Sequence, residues 1–250
     1  MRWFAVFLFM ALPAWGESVV LGLSQDEIAI TTSFDGSEIL VFGAVKREVP
    51  VPDGPELEVI ITVAGPSVPV MVRRKDKRLG IWVNTDAVEV DRAPSFYAVA
   101  TSGLLRDVLS DTEDLRYKIS VPRAIRSVGA PMTITDAPSF TEALIRIRSD
   151  ASLYQLQENH VAVDEQTLFR ARIELPAALT EGAYATRIFL TRDGQVVSNY
   201  ETSIDVRKVG LERWLFSLSR QQPIIYGLMS LAIAIFAGWG ASAAFSLLRN

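Results

Sequence analysis

From Ile224 to Leu248 the chain carries 25 consecutive residues without a charged side chain. As a helix this stretch rises about 37 Å at 1.5 Å per residue, enough to cross a hydrocarbon core of about 30 Å with some tilt. Ten of its residues are Leu, Ile or Phe, each favouring insertion by about 0.3–0.6 kcal/mol. A soluble helix apolar on every side needs protein all round it, and only Arg249 and Asn250 follow. The sequence predicts a transmembrane helix over 223–248, with 249–250 a cytoplasmic stub.

The first residues read MRWFAVFLFMALPAWGES. Arg2 supplies a positive charge, the run from Trp3 to Leu12 is apolar but too short to span a bilayer, and Ala14 and Gly16 are small residues before Glu17. This is the pattern of a cleaved secretory signal peptide over 1–16. The two ends together predict a single-pass protein of the inner membrane, N-terminus periplasmic and C-terminus cytoplasmic. Arg207, Lys208, Arg213 and Arg220 then fall on the outer flank, against the positive-inside tendency; long domains behind a signal peptide cross largely regardless of charge. Between body and span, residues 211–222 interleave Trp214, Leu215, Phe216 and Leu218 with Arg213 and Arg220, as a juxtamembrane amphipathic helix at headgroup level would.

The exported body is expected to be mainly β. Asp35-Gly36 and Asp193-Gly194 each sit between β-rich stretches, a hairpin signal. In TLFRARIELP, Phe169, Ala171, Ile173 and Leu175 alternate with Arg170, Arg172 and Glu174, as a strand with one buried and one wet face requires. The expectation is periplasmic β-sandwich, immunoglobulin-like modules, one over 17–100 and a second over 101–210 that begins with a small helical insertion. Tyr184 in EGAY would pack at a corner of such a module. The helical part comprises LLRDVLSDTEDLRYKIS and SFTEALIRIRSDASLYQL, where Ser139 and Glu142 have capping-box spacing.

Chemistry is constrained by what the chain lacks. It has no cysteine and one histidine, His160, which removes thiolate nucleophiles, Cys-ligated metals and any two-His metal site within one chain. A net charge of −4 gives no basic footprint for nucleic acid. Neither Asp86, Glu89 and Asp91 nor Asp111, Glu113 and Asp114 match a cation-binding loop. No phosphate loop or nucleophile elbow appears, so no enzyme, cofactor or metal is expected. The densest charge cluster is RRKDKR, where Arg73, Arg74, Lys75, Lys77 and Arg78 form either a solvated loop or a contact for an anion or lipid headgroup. Within the span, Ser230, Ala234, Gly238, Ser242 and Ser246 recur every fourth residue, a ridge on which another helix could pack. Since 12 of the 25 span residues are Gly, Ala or Ser, the spacing alone discriminates little.

Four blocks, APSFYAVATS (93–102), LFRARIELPA (168–177), RKVGLERWLF (207–216) and the PIIYGLMSLAIAIFAGWGAS span, together make the chain resemble an alphaproteobacterial transmembrane protein family of uncharacterised function. That resemblance implies a single-pass protein with a periplasmic body and, more loosely, a place beside sulfite-exporter-type permeases. It transfers no catalytic residue. The leading expectation is a periplasmic accessory or interaction module for a membrane partner such as a permease, or for a second copy through the transmembrane helix. A module binding a small ligand or surface polymer is the alternative, and a membrane-tethered hydrolase comes third.

Overall fold

The computed structural model describes residues 18–24, 27–30, 36–47, 54–129, 134–208 and 211–248. The expected signal peptide and the two-residue stub lie outside them. Strands are β1 (Ser18–Leu23), β2 (Glu27–Ile30), β3 (Gly36–Lys46), β4 (Glu58–Ala64), β5 (Ser67–Arg78), β6 (Ile81–Pro94), β7 (Tyr97–Thr101), β8 (Tyr154–Gln157), β9 (Ala162–Asp164), β10 (Leu168–Pro176), β11 (Gly182–Arg192) and β12 (Gln195–Lys208). Helices are α1 (Leu105–Val108), α2 (Asp111–Tyr117), α3 (Val121–Ala124), α4 (Ala137–Asp150), α5 (Leu211–Gln221) and α6 (Pro223–Leu248). The chain is mainly β, with several sheets and one C-terminal apolar helix.

Two compact units result. The first takes in the described residues up to Ser24 and those from Gly36 to Asp205. Its smaller sheet runs β1-β3-β10-β9, and its larger sheet runs β12-β11-β4-β7-β8. The division expected near residue 100 falls inside this unit. β3 pairs antiparallel with β10 from Gly36↔Pro176 to Ala44↔Leu168, and β4 pairs with both β7 and β11. Strands from both expected modules therefore share the same ladders, because neither half alone can cover the apolar faces it presents.

The burial pattern explains the layering. In β10, Phe169, Ala171, Ile173 and Leu175 are all buried while the alternating residues are exposed, so this sheet has one core face and one solvent face. β4 and β7 are buried on both faces. Ile60, Tyr97, Val99 and Phe189 pack with Val108, Leu109, Ile119 and Leu144 from the helical segment, which covers one side of the larger sheet.

Local signals were met unevenly. Asp193 (φ 49°) and Gly194 (φ 73°) form the two-residue turn between β11 and β12, both left-handed as a type I′ hairpin requires. Asp35 lies outside the described residues, and the hairpin expected there does not form: β3 lies in the smaller sheet and pairs with β1, while β2 belongs to a different sheet. Gly36 instead holds φ 127° at the end of the β3–β10 ladder, where a Cβ would stand 2.9 Å from the Leu175 carbonyl oxygen. The capping box is likewise replaced. α4 begins two residues earlier than Ser139, with Pro138 in its first turn and Asp136 at the N-cap, because proline's fixed φ suits that turn. Tyr184 is fully buried, and its hydroxyl donates to the Thr180 carbonyl at 2.8 Å.

The second unit holds β2, the end of β12 from Val206, α5 and α6. Glu27 lies 4.0 Å from Arg207 there. In α5 the Arg220 guanidinium stands 5.5 Å from the centre of the exposed Phe216 ring. From Pro223 to Ala241 α6 is long and apolar enough to cross a membrane, and none of it is buried in protein.

Candidate functional site

Three features combine exposure with chemistry: the tip of the β5–β6 hairpin, a cationic cleft beside α3, and the face of α6. The hairpin is a two-stranded sheet of its own. Its base is anchored, with Val88, Val90 and Ala93 buried and Arg148 of α4 donating to the Pro94 and Ser95 carbonyls at 2.8 and 2.9 Å. Farther out, the register shifts between Arg74 and Lys75, a β-bulge that bends the pair.

The turn at the tip is made by Leu79 (φ 51°) and Gly80 (φ 86°). Leucine seldom occupies that left-handed region, which asparagine or glycine fills at lower cost. Leu79 is also fully exposed, and Ile81 and Trp82 beside it are 64% and 68% exposed. Three large apolar side chains thus project at the end of a ribbon whose flank carries the predicted cations. Those cations are not equivalent. Arg74 donates two bonds to Asp136, one to Asp86, and stacks 4.7 Å from the Phe140 ring centre, so it is a structural clamp. Arg78 lies 3.6 Å from Asp76. Among the described residues Arg73, Lys75 and Lys77 make no ion pair and are exposed.

The cleft has a volume of about 670 Å³ and is lined by Arg92, Lys118, Arg123, Arg126 and Arg187, with Glu201 as the one lining carboxylate. It was not visible in the sequence, because its cations come from β6, the end of α2, α3, the segment after α3, and β11. Arg187 donates to the Tyr117 and Lys118 carbonyls at 2.8 and 3.2 Å and to the Tyr97 hydroxyl at 3.2 Å. Tyr97 in turn donates to the Ile119 carbonyl at 2.8 Å. Burial pushes the Tyr97 phenol above its ordinary value, with the Arg187 charge opposing the rise.

Of the acidic groups weighed from the sequence, Asp86, Asp91, Glu113 and Asp114 act as local acceptors. Asp114 takes the backbone N–H groups of Ile119 and Ser120 and the Ser120 hydroxyl; Asp91 takes the Val128 N–H at 2.7 Å. Glu113, buried, receives Arg116 at 2.7 Å. Among the described residues no group of three His, Asp or Glu side chains is placed to hold a metal ion. His160 is exposed, and its backbone N–H donates to the Thr101 carbonyl at 2.8 Å. On α6, Ser230, Ala234 and Gly238 are exposed; the side chains of Ser242 and Ser246 lie outside the described residues.

Residues 18–246 match the sequence profile of the alphaproteobacterial family described as "Putative transmembrane protein (Alph_Pro_TM)". The chain belongs to this family. The match runs from β1 into α6 and so takes in both the β-rich body and most of the apolar helix. No curated protein matches the chain. Membership and α6 agree on a membrane protein with, among the described residues, one candidate transmembrane helix near the C-terminus.

Proposed function

We propose that this family member is a non-enzymatic interaction module, tethered by α6 in the inner membrane with its β-rich body in the periplasm, that docks onto an integral membrane partner through the β5–β6 tip. The observation that carries the reading is the fully exposed Leu79, held with positive φ at the end of a ribbon that also exposes Ile81 and Trp82. Keeping such a residue at such a position is unfavourable for the free protein, and backbone outliers of this kind cluster where function requires them. Flanking Arg73, Lys75 and Lys77 give the tip a cationic rim around an apolar centre, which matches an apolar socket edged with carboxylates on the partner.

The test is photo-crosslinking in intact cells from a photoreactive phenylalanine analogue replacing Trp82. The expected product is an adduct with an integral membrane protein that disappears when Leu79→Asp and Ile81→Asp are introduced together. Adducts with lipid alone, or no adduct, would overturn the reading.

A further inference from the structure

We infer that the cleft beside α3 is a binding site for a polyanionic small molecule, an organic phosphate or polycarboxylate, and that it is separate from the hairpin tip. The cleft gathers five cationic side chains against one lining carboxylate, a formal balance of +5 − 1 = +4, in a chain whose net charge is −4. Such concentration of one sign in a concave surface focuses the local potential and attracts counter-ions.

The arrangement is costly without an anion. Arg92 and Arg126 face each other across an isolated antiparallel bridge, their backbones joined by N–H···O bonds of 3.1 and 2.9 Å. Like charges placed directly opposite on paired strands repel. Neither guanidinium, nor that of Arg123, has an ion-pair partner among the described residues. Among the described residues Arg187 is held by neutral groups, donating to two carbonyls and the Tyr97 hydroxyl and lying 5.2 Å from the centre of the Phe189 ring. The bonds fix its plane and leave its charge uncompensated. Asp114, the acid nearest Lys118 in sequence, already accepts three local hydrogen bonds.

Size and lining set the ligand class. At about 670 Å³ the cleft lies within the range that holds small organic ligands. Leu115, Ile125 and Val128 add apolar wall, so a ligand carrying two or more anionic groups on a carbon framework fits better than a single inorganic ion. Planar guanidinium groups recognise phosphate and carboxylate oxygens through paired N–H donors.

The experiment uses the full chain in nanodiscs of phosphatidylcholine, titrated calorimetrically with inorganic tripolyphosphate, citrate and, below its micelle concentration, a short-chain cardiolipin, whose headgroup carries two phosphates. The last probe distinguishes a lipid headgroup from a soluble anion. Binding of at least one probe is expected, weakened about tenfold or more by Arg123→Gln with Arg126→Gln, both exposed residues, and unchanged by Lys75→Gln with Lys77→Gln at the hairpin tip. If the glutamine pair lowers the melting temperature, Arg123→Lys with Arg126→Lys replaces it, keeping the charge and removing the paired donors; weakened binding is again expected. No binding of any probe at millimolar concentration, binding that survives the arginine substitutions, or binding lost with the tip lysines would each overturn the assignment.

Discussion

Arg74 of β5 grips Asp136 at the N-cap of α4 with two N–H···O bonds, 2.5 and 3.1 Å long, and so ties the hairpin to the helix beneath it. The arginine holds the Asp136 carboxyl below its ordinary value of 3.8. A carboxyl depressed in the folded state contributes stability that is present above its unfolded value and is lost as pH falls through the folded one. Hydrogen exchange at the β5–β6 amides should therefore be independent of pH-induced loosening near neutrality and accelerate, after correction for intrinsic rates, below about pH 4. In Asp136→Asn the hairpin should exchange faster at neutral pH and lose that acid-dependent step. An unaltered acid step in the variant would show that another group controls it.

Tyr97 joins the core to the cleft: its ring is 1% exposed and its hydroxyl bonds both Ile119 and Arg187. Tyr97→Phe removes a donor and an acceptor while keeping the ring, leaving the Ile119 carbonyl short of its partner. The expected loss is about 1–3 kcal/mol in denaturant unfolding, with the slope of the transition unchanged. A variant as stable as the parent would mean water replaces the phenol.

Tyr154, on β8, donates to the Pro94 carbonyl at 2.8 Å, and burial raises its phenol from 10.0 to about 12 with Arg148 opposing. A raised folded value stabilises the protein below the unfolded one, so this contribution is complete below pH 10 and lost as pH rises through about 12. Subtracting the ultraviolet titration of Tyr154→Phe from that of the parent should reveal one phenol ionising near the upper figure. A difference curve centred at 10 would place Tyr154 in solvent.

Much of this fold was legible where the signal is local. The uncharged run after Pro223, the alternation through Phe169 to Leu175 and the Asp193-Gly194 turn each specify their element within a few residues. What sequence separation hides is the pairing. Nothing in EILVFGAV announces that its partner is LFRARIELP, more than 120 residues away, and Asp35-Gly36 offers a nearer hairpin that the structure declines. The same limit hid the cleft, since five cations scattered between Arg92 and Arg187 read singly as solvated surface. Arg74 misled in the opposite direction: its neighbours in RRKDKR suggest a free patch, yet Asp136 and Phe140 hold it in place.

Topology is directly testable. Alkaline phosphatase fused after Lys208 should be active outside the cytoplasm, while Ala234→Lys, which opposes insertion by about 2.5–3.5 kcal/mol, should shift the intact protein toward the carbonate-extractable fraction. An inactive fusion would reverse the orientation, and a parent protein that washes off with carbonate would remove α6 from the bilayer.

Two glycines of the smaller sheet make a matched comparison. Gly43 on β3 pairs with Phe169 on β10, and Gly22 on β1 pairs with Phe42 on β3; in both, the phenylalanine ring fills the space a side chain would take. A Cβ on Gly43 would stand 2.5 Å from the buried Phe169 ring and 2.8 Å from the Val20 carbonyl oxygen, which is backbone in the β1 ladder. At Gly22 the three atoms nearest to a Cβ all belong to the Phe42 ring, the closest at 2.5 Å, and that ring is 45% exposed and can swing outward. Alanine gains about 0.5–1 kcal/mol over glycine in a strand by restricting the unfolded chain, whereas overpacking a fixed core costs about 1–3 kcal/mol. Gly43→Ala should accordingly destabilise the body in thermal unfolding, and Gly22→Ala should be close to neutral. Equal effects would mean that Phe169 is as free to move as Phe42, and that the β3–β10 ladder is not packed against the larger sheet as tightly as its buried residues indicate.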